Sequence, residues 1–217
     1  MGVVFERDFS ECTVGEKWGA LTCRQVTWCG TKGMGIESTE ETPILFGELI
    51  KVGVIPTRIK VRVNIRYYVG EGGSATLIFQ PAFYFNENLL SPFRVITERK
   101  VSSSTPSCWY DYVTMTIERS SSGYVVKVDI TGSFGLSSYE YTLNAMPNAV
   151  KLGLEIAATN GVTSGIMFTY ARVEAEDPFT EMFEMVMMMM PMMMFVMFMT
   201  MAMVTIQRFM ATMYTSY

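Results

Sequence analysis

The sequence predicts an all-β, two-sheet antiparallel sandwich of jelly-roll type followed by one C-terminal transmembrane helix. Three observations carry this. Up to about residue 178 the chain is a succession of apolar–polar alternations broken by Gly, Asn and Ser turns, with no helical periodicity. Residues 185–206 then read MVMMMMPMMMFVMFMTMAMVTI, 22 residues without a charge. Of the 20 methionines, five fall at or before Met167 and fifteen between Met182 and Met213, so composition itself marks the boundary.

The strands follow in order. Segments 18–28 and 43–52 are weak strands, and Gly33-Met34-Gly35 between them reads as a strand turn. Residues 57–69 are the cleanest: Ile59, Val61, Val63, Ile65 and Tyr67 alternate with Arg58, Lys60, Arg62, Asn64 and Arg66, the signature of a half-buried antiparallel strand. Gly70–Gly73 turns the chain into residues 74–85, apolar on both faces and so deep in a sheet, where Pro81 demands a bulge or an edge. Asn86-Glu87-Asn88 is the next turn. After a weak strand at 93–101 and the SSSTPS connector, residues 112–118 and 124–131 flank Arg119–Gly123 as a hairpin. Segment 137–143 is a further weak strand. Residues 149–159 and 165–176 flank Asn160-Gly161, with Val150, Leu152, Leu154 and Ile156 facing inward. The total is about ten or eleven strands. The domains read as 1–178 sandwich, 179–184 acidic connector, 185–206 helix and 207–217 polar tail.

The helix from Met185 to Ile206, through Met190, Pro191, Phe195 and Phe198, would be about 33 Å long, enough for a bilayer core. It is apolar on every face, the pattern of a span rather than of a surface helix. Its other home is a dry contact among copies of itself. Glu181 and Glu184 close one end and Gln207 and Arg208 the other, with Tyr214 and Tyr217 as interfacial anchors. Pro191 removes a donor and clashes with the Met187 carbonyl, which predicts a kink. Met182, Met185, Met189, Met192 and Met193 share one face; a thioether copper site there is outweighed by plain apolar filling, since every face carries Met. The N-terminus lacks a basic and an apolar region of the secretory kind, and Glu6 breaks the myristoylation pattern, so the expectation is a tail-anchored chain. Arg172 and Arg208 balance, leaving its orientation open.

Composition narrows function. A net charge of −4 argues against nucleic acid as a partner, and the absence of His removes His bases, Ser-His-Asp systems and His-containing zinc sites. No phosphate-binding loop is present. Cys12, Cys23, Cys29 and Cys108 include no C-x-x-C pair; disulfides and buried free thiols are equally compatible with them, and three fully paired connectivities are open. No cofactor is expected. Asn86–Asn88 and the surroundings of Asp129 would suit calcium, but polar turns explain them. Arg58, Lys60, Arg62 and Arg66, with Tyr68 in line, form a basic stripe suited to anionic lipid, an acidic glycan or an acidic protein surface; the plainer reading is a wet strand face neutralised by cross-strand acids.

The strand order resembles the concanavalin A-like lectin and laminin-G sandwiches. The carrying segments are 61–67, the hairpin YVTMTIERSSSGYVVKVDI, and the closing pair KLGLEIAATNG and GIMFTYARVEAED. The resemblance implies a late strand returning beside residues 3–9, and a sugar-binding ancestry; fold alone does not fix function. Some enzymes of that group use paired acids on one strand, and Glu174, Glu176 and Asp177 come closest here, though a solvated collar is the simpler account. The leading expectation is a non-enzymatic structural protein at a lipid bilayer, with copies packed laterally into a virion coat or cell-surface layer. The alternative is a membrane-anchored glycan- or protein-binding module, favoured by exposed aromatics among Trp18, Trp28, Trp109 and Tyr110. A third is an accessory subunit of a membrane complex.

Overall fold

The computed structural model describes the chain except Met1 and residues 54–55, 91–93, 122 and 215–217, and within the helix it leaves out the side chains of 178–181, 184, 209 and 211–214. Two compact units result, Met1–Asp177 and Pro178–Tyr217. Among the described residues the first holds fifteen strands: β1 (Gly2–Asp8), β2 (Lys17–Trp18), β3 (Leu21–Val26), β4 (Thr31–Ser38), β5 (Thr42–Phe46), β6 (Ile50–Lys51), β7 (Arg58–Val69), β8 (Ser74–Phe85), β9 (Asn88–Leu89), β10 (Thr97–Ser102), β11 (Ser107–Ser120), β12 (Gly123–Gly132), β13 (Gly135–Leu143), β14 (Ala149–Thr159) and β15 (Ser164–Glu176). A nine-stranded sheet runs β13-β12-β11-β7-β15-β4-β3-β2, with β1 also on β15. A six-stranded sheet runs β10-β8-β14-β5, with β6 on β14 and β9 on β8. All pairings are antiparallel.

The alternation read from the sequence decides which face meets the core. Ile59, Val61, Val63, Ile65 and Tyr67 of β7, Val113, Met115 and Ile117 of β11, and Val126, Val128 and Ile130 of β12 are buried in one cluster with Leu77, Phe79 and Phe83 of β8 and Val150, Leu152, Leu154 and Ile156 of β14. Each such side chain contributes about 1.5–3 kcal/mol by leaving water. Tyr67 brings a hydroxyl into that core and satisfies it with the Thr97 hydroxyl of the opposite sheet at 2.8 Å.

β1 lies against β15, from Val3 opposite Glu174 to Asp8 opposite Tyr170. β14 and β15 are not a hairpin: the chain crosses from one sheet to the other between them. Asn160 holds that corner, its side chain accepting from the Ser74 amide and donating to the Gly72 carbonyl, each at 3.0 Å. Pro81 stands opposite Leu152, and on the other flank of β8 it falls between the stretches paired with β10 and β9, so the ladder there does not need its missing donor.

One element was misread. Gly33 and Gly35 are not a turn but the interior of β4. A side chain at Gly35 would place Cβ 2.2 Å from the Ile166 carbonyl oxygen, so the close approach of β15 requires glycine there. All four cysteines pair, Cys12 with Cys23 and Cys29 with Cys108.

The second unit is one helix, α1 (Pro178–Tyr214), unbroken through Pro191. Met185–Arg208, 24 residues, is long and apolar enough to cross a membrane, and its described side chains are all exposed in the single chain. The Thr205 hydroxyl donates to the Met201 carbonyl at 2.8 Å and that of Thr200 to Val196, so neither needs water. The side chains of Glu181, Glu184 and Tyr214, and all of Tyr217, lie outside the described residues.

Candidate functional site

Arg58, Lys60, Arg62 and Arg66 project from the outer face of the nine-stranded sheet, where the register largely neutralises them. Arg62 faces Glu174 at 3.5 Å and Arg58 faces Glu118 at 3.7 Å. Arg172 bridges Glu174 at 2.6 Å and Glu6 at 3.3 Å, and Lys127 also reaches Glu118. That last contact holds the Glu118 carboxyl below its usual range. Glu174 is thereby buried beneath two guanidinium groups and is not part of a solvated collar. Tyr68 leaves the stripe altogether. It is 0% exposed under the Cys29–Cys108 disulfide and the Trp28 ring, 6.1 Å away, and its hydroxyl donates to Glu37 at 3.0 Å; burial pushes its ionisation far up. Arg66 stands apart from the other arginines, stacking over the Tyr110 ring at 5.0 Å.

A cleft of about 580 Å³ opens on the outer side of the six-stranded sheet, where β8, β14 and β6 come to their ends. Strand alternation sets its lining. Phe83 and Val150 point to the core, so Tyr84 and Lys151 point out. The β8–β9 connection is a two-residue turn, with Phe85 opposite Asn88. Asn86 and Glu87 both adopt left-handed backbone (φ 48° and 67°), as such hairpins require, although neither is glycine. Asn86 and Asn148 clasp each other: the Asn86 amide donates to Asn148 Oδ1 at 3.2 Å, and Asn148 Nδ2 donates to Asn86 Oδ1 at 3.1 Å. The Asn148 backbone amide donates to the Tyr84 carbonyl at 2.9 Å, fixing the clasp to the strand. The Lys151 ammonium lies 5.8 Å from the Tyr84 ring centroid. Lys51, Glu87 and Leu49 complete the wall. A neighbouring hollow of about 450 Å³ shares Leu49 and Lys151 and adds Ile44, Phe46 and Glu48.

The two hollows balance two ammonium groups against two carboxylates, with amide groups that both donate and accept and one half-buried tyrosine face. Such a surface suits a neutral, hydroxyl-rich ring. Among the described residues no group of three or more His, Cys, Asp or Glu gathers to hold a metal ion. Sequence reasoning named Asn86–Asn88 as a turn but missed Tyr84, Asn148 and Lys151, because nothing local announces that residues 84 and 149 will be neighbours. Of the aromatics it singled out, Trp18 is buried, Trp109 is half-buried against Phe134, and Trp28 and Tyr110 are exposed.

No family model matches the chain, and no curated protein matches it. Solved structures do. Lectin I from Ulex europaeus, in complex with the methyl glycoside of α-L-fucose, is 10% identical over 79% of this chain and 98% of its own, with a TM-score of 0.49. The carbohydrate recognition domain of Emp47p is 10% identical over 78% and 93%, with a TM-score of 0.44. Basic winged bean lectin with Tn-antigen is 11% identical over 79% and 98%, with a TM-score of 0.43. The chain itself folds as two antiparallel sheets with β1 closing beside β15, and these are followed by a helix long and apolar enough to cross a membrane.

Proposed function

We propose that the chain is a non-enzymatic, membrane-anchored glycan-binding module whose sugar seat is the cleft at Tyr84. The carrying observation is the clasp. Two asparagines hold each other beside a tyrosine face, at a turn kept in left-handed backbone by residues other than glycine. Backbone of that kind persists where the surrounding structure enforces it, and it is often found at binding sites. The tyrosine face supplies the apolar contact that one side of a pyranose offers. The amides, Glu87 and Lys151 supply hydrogen bonds for hydroxyl groups. The α1 helix would hold the module at a bilayer.

A glycan array probed with the full chain in lipid nanodiscs tests this, followed by titration of retained sugars against Tyr84→Ala and Asn148→Ala. Each substitution should weaken binding at least tenfold while Arg62→Gln leaves it unchanged. Retention of no glycan, or equal binding by Tyr84→Ala, refutes the proposal.

A second reading, lateral packing of copies into a coat, is favoured by one feature. β13 is a nine-residue edge strand with Leu136 77% exposed, a form that invites pairing with another sheet edge. Native mass spectrometry from nanodiscs decides it, since a coat protein should appear as ordered multimers that Leu136→Lys disperses.

A further inference from the structure

The outer face of the nine-stranded sheet carries a second cleft, of about 450 Å³, that the glycan seat does not involve. Its origin is topological. β4 covers β15 along Ser164–Phe168 and β1 covers it along Tyr170–Ala175. Between them the register of β15 against β7 slips at Thr169. β1 therefore ends at Asp8 and β4 begins at Thr31 with an opening between, floored by Asn64 and Arg66 of β7.

The polar groups of this opening are sorted by what they already do. The Thr31 hydroxyl donates to the Cys29 carbonyl at 3.0 Å, and the Thr169 hydroxyl to the Asn64 carbonyl at 3.4 Å. The Tyr170 hydroxyl donates to Glu6 at 2.6 Å. Asp8 Oδ1 accepts from the Ser10 amide at 2.9 Å and the Ser10 hydroxyl at 2.6 Å. Among the described residues three donors of the lining remain: the Arg66 guanidinium, the Lys32 ammonium and the Asn64 amide. Arg66 has Tyr110 and Met167 as cross-strand neighbours and no ion pair among the described residues, in contrast to Arg58, Arg62 and Arg172; Asp8, held by Ser10, is the one acid lining the cleft, against the two cations Arg66 and Lys32. The cleft is thus rich in uncommitted donors, which selects for an anion.

Tyr170 lines the cleft, and further tyrosines neighbour Asn64 and Arg66 on β11. Tyr112 and Tyr170 flank Asn64 directly, two strand spacings or roughly 10 Å apart at Cα. Tyr110 and Tyr112, 38% and 46% exposed, lie 5.3 Å apart between ring centroids. The short Asn64 leaves a slot between the longer Tyr112 and Tyr170 side chains.

We infer that this slot binds an anionic glycan unit. Arg66 and Lys32 hold its sulfate or carboxylate group, and the ring of the sugar lies against Tyr110 and Tyr112. Two observations favour a sugar over an acidic peptide. β11, β7 and β15 are interior strands whose backbone groups are already paired, so an extended peptide finds no main-chain partner. The rest of the basic stripe is neutralised, so one focused charge is recognised and not a run of them.

The test is calorimetry on the full chain in nanodiscs of neutral lipid. The probes are a heparin-derived oligosaccharide, its desulfated counterpart, a hexuronate oligosaccharide, inorganic sulfate and a sulfotyrosyl peptide. A sulfated or uronate oligosaccharide should bind, and Arg66→Gln should weaken it about ten- to a hundredfold, the loss expected for one charge-assisted hydrogen-bonded contact. Lys32→Gln and Tyr112→Ala should each weaken it severalfold, and Arg58→Gln should leave it unchanged. Tyr84→Ala should also leave it unchanged, so failure here is separable from failure of the neutral-sugar seat. Equal loss with Arg58→Gln, unchanged binding by a folded Arg66→Gln, no affinity for either anionic oligosaccharide, or preference for inorganic sulfate or the sulfopeptide over the oligosaccharides would each overturn the inference.

Discussion

Arg99 and Asp111 should show opposite sensitivities although they form a single ion pair. Asp111 is fully buried on the core side of β11, its Oδ2 accepting from Arg99 Nε at 2.7 Å. Its Oδ1 has no partner among the described residues, and a side chain at Gly132 would place Cβ only 2.6 Å from it. Arg99 is 19% exposed and lies over the Phe134 ring at 4.6 Å. Arg99→Met keeps the aliphatic stem on that ring and strands the carboxylate in the core, which costs about 3–5 kcal/mol. Asp111→Asn leaves a neutral amide, and Arg99 can turn toward water, so the cost falls to about 1–2 kcal/mol. The double variant should be less damaged than Arg99→Met alone. For a unit of this size about 3–5 kcal/mol corresponds to roughly 6–20 °C in Tm. Urea unfolding of the full chain in micelles, read by tryptophan fluorescence at constant m-value, measures all three. An Asp111→Asn variant as unstable as Arg99→Met, or strict additivity in the double variant, would refute the reasoning.

Further outcomes follow from other residues. Glu87→Gly should stabilise the sandwich by about 1 kcal/mol by relieving a left-handed residue, while weakening glycan binding; a lower urea midpoint would contradict it. Replacing Cys29 and Cys108, 79 residues apart, should cost about 4.5 kcal/mol, against about 2.8 kcal/mol for Cys12 and Cys23, 11 apart, from loop-closure entropy. Burial pushes the Tyr67, Tyr68 and Tyr141 phenols up and Tyr139 up to about 12. The folded state thus keeps protons that the unfolded chain loses near pH 10, so their stabilisation is complete below about pH 10 and falls above it. Alkaline titration should show late tyrosinate absorbance coinciding with unfolding. Peroxide should oxidise the methionines of 185–206 slowly in nanodiscs and quickly after delipidation.

Most of the sandwich was legible because burial follows the two-residue period, and that period is written locally in segments such as 59–67 and 150–156. The misreading of Gly33-Met34-Gly35 has a definite cause. A glycine signals either a turn or a close approach, and here the approaching strand, β15, lies more than 120 residues away in the chain. The cysteine pairing was open for the same reason: Cys29 and Cys108 meet only because the turn before β4 folds over Tyr68 on β7, beside the start of β11.

The basic stripe shows why composition on one strand does not locate a site. All four cations sit on the same face of β7, and in sequence they are equivalent. Register separates them. Arg58 stands opposite Glu118 and Lys60 opposite Glu174, which Arg62 also reaches from the neighbouring position, whereas Arg66 meets a tyrosine ring and a methionine. A charge that its neighbours cancel presents little field to a ligand; one lodged among committed hydroxyls and unneutralised presents most of it. The informative quantity is therefore each cation's neighbours on the adjacent strands β11 and β15, which depend on the bulge at Thr169 and on where β1 stops. The cleft at Tyr84 depends likewise on two ends of the chain's path, the turn at Asn86 and the entry to β14 at Asn148, meeting at one edge. In both places the chemistry lies at breaks in the strand pattern, where the alternation that makes the fold readable gives no instruction.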